Sequence, residues 1–199
     1  LKKIPGLTLE FPTKTGVVAV LKGVQPGPVL ALRADIDALP ITEDANPSHL
    51  PFNESFLSQN PGFMHACGHD GHTAIGLIVA RILAEMKGCF SGTVKLIFQP
   101  AEEGVRGARS IAEKGHLNDV DYLIGSHIFP STNGEQIGVS MGPTLATTKL
   151  NSSFWGLSSH AALPEKGHNA MLAMASAILN LHAIPRHSGG ASQINVGTA

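Results

Sequence analysis

Hydrophobic positions along the chain follow two periods, one typical of buried strands and the other of an amphipathic helix. Short apolar runs that are rich in β-branched residues and bounded by Gly and Pro predict strands. After a polar stretch of histidines, apolar residues recur with helical spacing over 74–86 until Gly88 ends the pattern. The predicted strands of this first part are residues 15–21, 28–34, 93–98 and 121–125.

The segments between these elements predict how the elements are connected. Residues 23–27 are short and rich in Gly and Pro, so we expect the first two strands to be neighbours joined as a hairpin. Residues 40–62 are polar and contain several prolines, which predicts a long surface loop. Residues 108–114, followed by Gly115, predict a short helix.

The character of the chain changes near Leu145, after a natural boundary at the Met-Gly-Pro of 141–143. We therefore predict two domains, residues 1–143 and residues 144–199, of which the second is the smaller. The fold class is α/β, an open mixed sheet with flanking helices followed by the first part of an α+β domain. The elements predicted around and after the boundary are strands at 136–139, 149–155 and 193–196 and a helix at 169–182.

Composition excludes several classes of protein and favours metal chemistry. The chain has 199 residues and a net charge of −1, so no bulk electrostatic attraction to nucleic acid or to an anionic membrane is expected. The two cysteines are too few for a disulfide framework. Ten histidines accompany fourteen Lys and Arg, and many of them lie beside Gly and acidic residues.

The ends of the chain and its apolar runs bear on location. The first residues lack the pattern of a signal peptide, and no apolar run reaches the roughly 18 residues of a membrane span, so we expect a cytoplasmic protein. The chain starts without Met and ends within a predicted strand, so we expect a piece of a longer protein.

The densest chemistry lies at residues 64–72, which hold three histidines, a cysteine and a carboxylate directly before the predicted helix. Cys67 and His69 are separated by Gly68, which lets the backbone turn so that both donors face the same side. A metal would deprotonate the thiol and fix the imidazole tautomer. The alternative is a polar loop whose histidines only cap and solvate a helix end.

Other candidate residues follow the predicted strands. We expect them to lie close together at the carboxyl ends of the strands, where ligands bind in an open α/β sheet. Glu103 and His127 offer the oxygen and nitrogen ligands of a Zn or Mn site, and Glu102 can stay free as a general base for the attacking water. Asp35 and Asp37 we expect to cap or brace the site rather than to bind metal.

Each of these residues also has a structural interpretation. A pair of glutamates after a strand is often a charge pair at a helix N-terminus, and a single histidine there is often structural. A thiol sensor built from Cys67 and Cys89 is a further alternative, but the helix between them would separate the thiols by roughly 20 Å or more.

Four ordered motifs make the chain resemble the M20 family of metallopeptidases, in the branch of amidohydrolases that cleave N-acyl and N-aroyl amino acids. The motifs are M-H-A-C-G-H-D-G-H-T at 64–73, F-Q-P-A-E-E-G at 98–104, G-S-H-I at 125–128 and S-S-H-A-A-L-P-E-K-G-H-N-A at 158–170. The resemblance implies a zinc-peptidase-like catalytic domain and a small lid or dimerisation domain, both incomplete in this chain.

The resemblance also implies roles for single residues. The metal ligands would be Cys67, His69, Glu103 and His127, with Glu102 as the base. His160 would stabilise the tetrahedral oxyanion, often reaching across a dimer into the partner's site. The full-length protein would hold two divalent ions, Mn or Zn, and a further histidine ligand would come from a later part of the catalytic domain.

Within the branch, residues 94–110 and 181–197 most resemble the A-type component of aminobenzoyl-glutamate hydrolases. This resemblance implies hydrolysis of aminobenzoyl-glutamate to aminobenzoate and glutamate by a homodimer or a hetero-oligomer with a related subunit. Three alternatives remain, which are a general N-acyl-amino-acid deacylase, a dipeptidase, and a non-catalytic homologue that binds metal. If the protein is an enzyme, we expect it to bind a small-molecule substrate, an N-acyl or N-aroyl amino acid. We expect it to bind neither nucleic acid nor a membrane.

Overall fold

The structure is a computed structural model that describes residues 1–104, 107–129, 134, 136–140, 147–190 and 192–197. It divides into two compact units, Leu1–Ile137 and Gly138–Ala199. The boundary predicted at 141–143 lies outside the described residues, so the two-domain division remains a prediction.

The described residues of the first unit form an α/β structure on an open five-stranded sheet, which confirms the predicted fold class. The sheet has the order β1-β2-β4-β3-β5, in which β3 is parallel to both β4 and β5 while β2 is antiparallel to β4. The elements are β1 (Thr8–Glu10), β2 (Val17–Lys22), β3 (Val29–Asp35), α1 (Leu50–Asn53), α2 (His69–Glu85), β4 (Thr93–Gln99), α3 (Gly107–Glu113) and β5 (Tyr122–Gly125).

The predicted hairpin between the first two strands is wrong. Strands β2 and β3 do not pair, because β4 lies between them and hydrogen-bonds to both. A central strand is hydrophobic on both faces and pairs with a neighbour on each side, and residues 93–99 are almost all buried as such a strand requires. The short segment at 23–27 therefore links strands that are two positions apart in the sheet.

Layers on both faces of the sheet enclose its core. Consecutive residues of a strand point to opposite faces, so Leu96 belongs to one apolar cluster and Ile97 to the other. Helix α2 packs through Ala80 on the first face, and α3 packs through Ile111 on the second. Gly76 allows close contact, since a Cβ there would lie 3.0 Å from the ring of Phe98.

Helix α2 begins earlier than its apolar pattern predicts. The pattern indicates a start near residue 74, whereas the helix starts at His69, directly after Gly68 with a φ of 81°. A left-handed conformation is favoured by glycine, so Gly68 sets the point at which the chain turns into the helix. His69 and His72 consequently lie within the first helical turn rather than in a loop before it.

The second unit contains one long helix, α4 (Ala170–His182), close to its predicted bounds. The side chain of Asn169 accepts a hydrogen bond from the backbone of Met171 and caps this helix. The strands predicted at 136–139, 149–155 and 193–196 are not formed among the described residues. A strand is stabilised by its neighbour in a ladder, and the bridge of Leu157 with His168 is the pairing that the described part of this unit contains.

Within the described part of the chain, no helix combines the length and the apolar character needed to cross a bilayer.

Candidate metal centre

Several candidate residues converge at the carboxyl ends of the parallel strands. Asp35 is the last residue of β3, the Glu102–Glu103 pair follows β4, and His127 follows β5. Helix α2 begins at the same edge with His69 as its first residue. Residues that are far apart in sequence thus meet where an open α/β sheet forms its ligand crevice.

The potential ligand atoms of three predicted residues, Cys67, His69 and Glu103, all lie within 4.8 Å of one another. The Nε2 atom of His69 is 4.0 Å from a carboxylate oxygen of Glu103. The Nε2 atom of His127 lies 3.6 Å from the sulfur of Cys67. The structure therefore brings the four predicted ligands together, and a thiol, a carboxylate and two imidazoles form a donor set that suits Zn or a similar divalent ion.

The orientation of His69 fits the role of a ligand. Its Nδ1–H donates to the backbone carbonyl of Asp37 at 3.0 Å, so the ring presents Nε2 as an unprotonated acceptor. This Nε2 atom is buried and has no hydrogen-bond partner among the described residues. A buried nitrogen without a partner is costly, whereas a metal-bound histidine commonly has this arrangement, with its other nitrogen held by a carbonyl.

His127 is oriented in a similar way but is exposed. Its Nδ1–H donates to the carbonyl of Ile128 at 2.7 Å, which leaves Nε2 directed at the Cys67 sulfur. The two histidines therefore both present Nε2, and their ring centroids are 5.9 Å apart.

The surroundings of Cys67 favour a cation. Burial raises the pKa of the Cys67 thiol, and a hydrogen bond to Glu103 with the negative charges of Glu103, Glu102 and Asp35 raises it further. A thiol among carboxylates stays protonated unless a positive charge compensates them. A divalent ion would supply that charge and bind the thiolate.

The loop that carries Glu102 and Glu103 is held in a strained conformation. Ala101, directly before the pair, has a φ of 54°, a left-handed value that costs a non-glycine residue about 1–3 kcal/mol. The backbone N–H of Glu103 donates to the carboxylate of Asp37 at 3.0 Å. Glu103 is half-buried and Glu102 is exposed, so the two carboxylates occupy different environments.

Asp37 braces this loop as a charged group. Burial acts to raise the pKa of Asp37, but the backbone N–H groups of Glu103 and Glu102, with the nearby His69, outweigh it and hold the pKa below its ordinary value. Asp37 thus contacts two of the candidate ligands. Its carboxylate accepts from the backbone N–H of Glu103, and its backbone carbonyl accepts from the ring of His69. The expectation that this aspartate braces the site agrees with these contacts.

Sequence reasoning assigned no role to His72, which the structure places beside the candidate ligands. His72 is fully buried, and its Nδ1 is hydrogen-bonded to the carboxylate of Asp35. The spacing of His69 and His72 contained a signal, because residues three apart on a helix share a face. That spacing becomes visible once the helix start is placed at His69.

His160 lies in the second unit and is exposed. Its Nδ1 accepts a hydrogen bond from the backbone N–H of Ala162 at 3.1 Å. Its predicted part in oxyanion stabilisation stays a prediction.

Both cysteines are free thiols, and Cys89 is exposed. The 17-residue helix α2 lies between them in sequence, as predicted, so a thiol pair of Cys67 and Cys89 is not supported.

The chain is similar to several known proteins. The sequence profile of peptidase family M20/M25/M40 matches residues 31–196. A p-aminobenzoyl-glutamate hydrolase component of Escherichia coli (strain K12), named as one subunit of that enzyme, is 50% identical over 184 residues, which are 92% of this chain and 42% of that protein. The indole-3-acetyl-aspartic acid hydrolase of Enterobacter agglomerans is also 50% identical, with the same shares of 92% and 42%.

The chain is also similar to a solved structure. The crystal structure of a Bacillus subtilis dinuclear metal binding peptidase from the M20 family matches with a TM-score of 0.57 and 47% identity, covering 63% of this chain and 33% of that one. This chain spans less than half of the length of these curated relatives.

Proposed function

Because this chain belongs to peptidase family M20/M25/M40, we propose that it functions as a metal-dependent amidohydrolase acting on N-acyl or N-aroyl amino acids. The observation that carries this proposal is the group formed by Cys67, His69 and Glu103, whose donor atoms lie within 4.8 Å of one another. The buried Nε2 of His69, which has no hydrogen-bond partner in the described part of the chain, supports a metal rather than a purely structural polar cluster.

The proposed roles follow from the environments of the side chains. Cys67, His69, Glu103 and His127 would hold a divalent ion, Mn or Zn, and a relative is named a dinuclear metal binding peptidase. Such an ion lowers the pKa of water and polarises an amide carbonyl when it is bound. Glu102, exposed beside the half-buried Glu103, would take the proton of the attacking water and deliver it to the leaving amine. His160 would stabilise the oxyanion that develops on the carbonyl oxygen.

The substrate class is narrowed by what the relatives are named for. The two relatives at 50% identity are named for an aminobenzoyl conjugate of glutamate and an indole-acetyl conjugate of aspartate. Both conjugates join an aromatic acyl group to an acidic amino acid. We therefore favour aminobenzoyl-glutamate or a similar conjugate, hydrolysed to the aromatic acid and the amino acid.

A general N-acyl-amino-acid deacylase is the second candidate. An N-acyl-L-amino acid amidohydrolase of Geobacillus stearothermophilus is 38% identical over 190 residues, so the family includes proteins named for a broader specificity. A homodimer, or a hetero-oligomer with a related subunit, is part of the proposal, and the Escherichia coli relative is named as one subunit of its enzyme.

A substrate screen of the full-length protein separates these functions. The protein would be stripped of metal, reloaded with Mn or with Zn, and assayed for amino-acid release from aminobenzoyl-glutamate, benzoyl-glycine and acetyl-glutamate. Preference for the aminobenzoyl substrate supports the favoured specificity. Equal turnover of all three supports the general deacylase, and metal binding without turnover of any acyl substrate supports the non-catalytic homologue.

Separate substitution of the two neighbouring glutamates tests which one is the general base and which one is a metal ligand. We expect Glu102→Gln to retain the metal and to lower kcat by about 10²–10⁴-fold, because general base catalysis contributes about that factor. The matched variant Glu103→Gln should instead lower metal content, measured by elemental analysis. Undiminished turnover by Glu102→Gln would remove this residue from the mechanism.

A further inference from the structure

The pair formed by Asp35 and His72 is buried next to the candidate ligands but is not part of the proposed ligand set. His72 has 1% of its surface exposed and Asp35 has none. Both ring nitrogens of His72 are engaged, since Nδ1 is bonded to the Asp35 carboxylate and Nε2 lies 2.8 Å from the backbone nitrogen of Ile128. A buried histidine with two specific partners has a defined tautomer.

The tautomer of His72 follows from the partner of Nε2. A backbone N–H can only donate, so the Nε2 that faces Ile128 carries no proton. The ring proton is therefore on Nδ1 and is donated to Asp35. The lone pair of Nε2 is occupied by this bond, and His72 is consequently a poor metal ligand despite its position among Asp35, His69 and His127.

The backbone of Ile128 contacts histidines through both its N–H and its carbonyl. Its N–H donates to Nε2 of His72 at 2.8 Å, and its carbonyl accepts from Nδ1 of His127 at 2.7 Å. The second bond sets the ring of His127 so that its Nε2 faces the sulfur of Cys67 at 3.6 Å. The orientation of the exposed His127 thus depends on the carbonyl of a residue whose backbone N–H is held by the buried His72.

Asp35 is in turn fixed by the sheet. Its second carboxylate oxygen lies 2.7 Å from Nη1 of Arg33, and Nε of Arg33 donates to the side chain of Gln99 on β4 at 2.8 Å. The guanidinium compensates the buried carboxylate, which would otherwise be costly. Contacts therefore run without a break from the central strands through Asp35 and His72 to the loop that carries His127.

We propose that Asp35 and His72 are positioning residues that orient His127 toward the metal through the peptide N–H of Ile128. This inference rests on the proposed function, because it concerns the same metal centre. Nε2 of His72 is the acceptor in this arrangement, and Asp35 keeps the ring proton of His72 on Nδ1. Outer partners of this kind commonly change metal affinity by about 10–100-fold when they are removed.

Two substitutions at residue 72 separate the hydrogen bond to Ile128 from the hydrogen bond to Asp35. His72→Gln places an amide oxygen near the position of Nε2 and can still accept from Ile128. His72→Asn places its amide near the position of Nδ1, so it keeps a donor for Asp35 and loses the acceptor. We expect His72→Asn to weaken Co²⁺ binding by the full factor of about 10–100 and His72→Gln to weaken it much less.

Measurements on the full-length protein would compare Co²⁺ affinity, the thiolate-to-Co²⁺ absorption band, and the thermal midpoint in the presence of a chelator. A purely structural role would lower the chelated midpoint of both variants and leave their Co²⁺ affinities alike. Equal affinities in the two variants would overturn the proposal.

The tautomer is tested directly by nitrogen NMR of the His72 ring. We expect a protonated Nδ1 and an unprotonated Nε2, both unchanged when Zn²⁺ is added. Asp35→Asn can present an amide donor to Nδ1 and move the proton to Nε2, so it should match His72→Asn in Co²⁺ affinity. A proton on Nε2 in the unsubstituted protein, or a Zn²⁺-induced shift of Nε2 to the value of a coordinated nitrogen, would refute the proposal.

The outcomes distinguish this inference from the proposed function. If the protein binds Co²⁺ but hydrolyses no acyl amino acid, the proposed function fails and the positioning role stands. If it hydrolyses its substrate while the substitutions at residues 35 and 72 leave Co²⁺ binding unchanged, the positioning role alone fails. If it binds no divalent ion, both fail.

Discussion

The two sides of the candidate metal centre are supported in different ways. Cys67, His69 and Glu103 lie at the start of α2 and after central strand β4, where Asp37 contacts the last two directly. His127 is exposed and follows β5, a four-residue strand at the edge of the sheet that the described residues form. The comparison teaches that a candidate ligand beside the core can be held by one neighbour, whereas the candidate ligand on the edge loop is, in our proposal, held through the intermediate side chain of His72.

The largest expected effect comes from removing a donor on the well-supported side. Cys67→Ala should lower metal affinity by more than about 100-fold, since even outer partners of ligands contribute about 10–100-fold. Elemental analysis after dialysis measures the loss. The matched control is Cys89→Ala, which removes the exposed free thiol and should leave metal content unchanged. Full metal occupancy in Cys67→Ala would contradict the assignment of this side.

Asp37→Ala removes the brace and not a ligand, so its effect should be smaller. We expect metal affinity to fall by about 10–100-fold, because the Glu103 loop loses its hydrogen-bond acceptor. Asp37→Asn retains an oxygen that can accept from Glu103 and should lose less affinity than the alanine variant. If the two variants bind metal equally well, the carboxylate oxygen does not position the loop. Direct support by Asp37 would then no longer distinguish this side of the centre from the side of His127.

Gly68→Ala tests the turn that brings Cys67 and His69 to the same side. Its φ of 81° costs an alanine about 1–2 kcal/mol, while the added Cβ would meet Ile128 at an ordinary 3.7 Å. We expect unfolding of the apo protein by urea to show a loss of that size. Gly88→Ala is the control, because a Cβ there meets nothing within 4 Å and its φ lies outside the left-handed region. A loss as large at residue 88 would show that the left-handed turn is not the cause.

The smallest effect is expected away from the site. The buried Lys95 ammonium holds the pKa of Asp119 below its ordinary value of 3.8. A carboxyl with a lowered pKa contributes stability above its unfolded pKa, and the contribution is lost as the pH falls through its folded pKa. Asp119→Asn should therefore cost less than about 1 kcal/mol at pH 7, since Asp119 is mostly exposed and screened by solvent.

Thermal melting across pH 2–7 would follow this contribution. The difference between Asp119→Asn and the unsubstituted protein should shrink below pH 3.8, and metal affinity should stay unchanged. A difference that grows on acidification would mean that Asp119 is not stabilised as an anion in the folded protein.

Local pattern was sufficient for much of the first unit. The strands at residues 17–22, 29–35 and 93–99 follow their apolar runs because each pairs in the sheet and buries side chains there. The strand at residues 122–125 also follows its apolar run and pairs with β3, although its residues are exposed. The meeting of Cys67, His69, Glu103 and His127 also followed from a general rule, that parallel strands of a sheet direct their carboxyl ends to one edge.

What escaped prediction depends on contacts distant in sequence. The insertion of β4 between β2 and β3 has no local signal, so Gly and Pro at 23–27 suggested a hairpin that does not form. The strand β1 pairs only three residues, which is too short a run for a clear alternation. The strands expected in the second unit illustrate the same limit, since β propensity becomes a strand when a neighbour supplies the ladder.

The buried network of Asp35 and His72 shows a different limit. Its residues were visible in the sequence, but their roles depend on which nitrogen faces which partner. Residue type and spacing do not determine a tautomer, because it is set by a backbone N–H from a loop 56 residues away.

The position of β4 also affects how the chain becomes ordered as it is synthesised. The first hairpin, β1 with β2, can pair early, but β3 gains its first described partner when residues 93–99 have left the ribosome. At roughly 5–20 residues per second, several seconds of translation separate β2 from β4. Throughout that interval the nascent chain presents unpaired apolar strand edges, which are the features that chaperones bind and that promote aggregation.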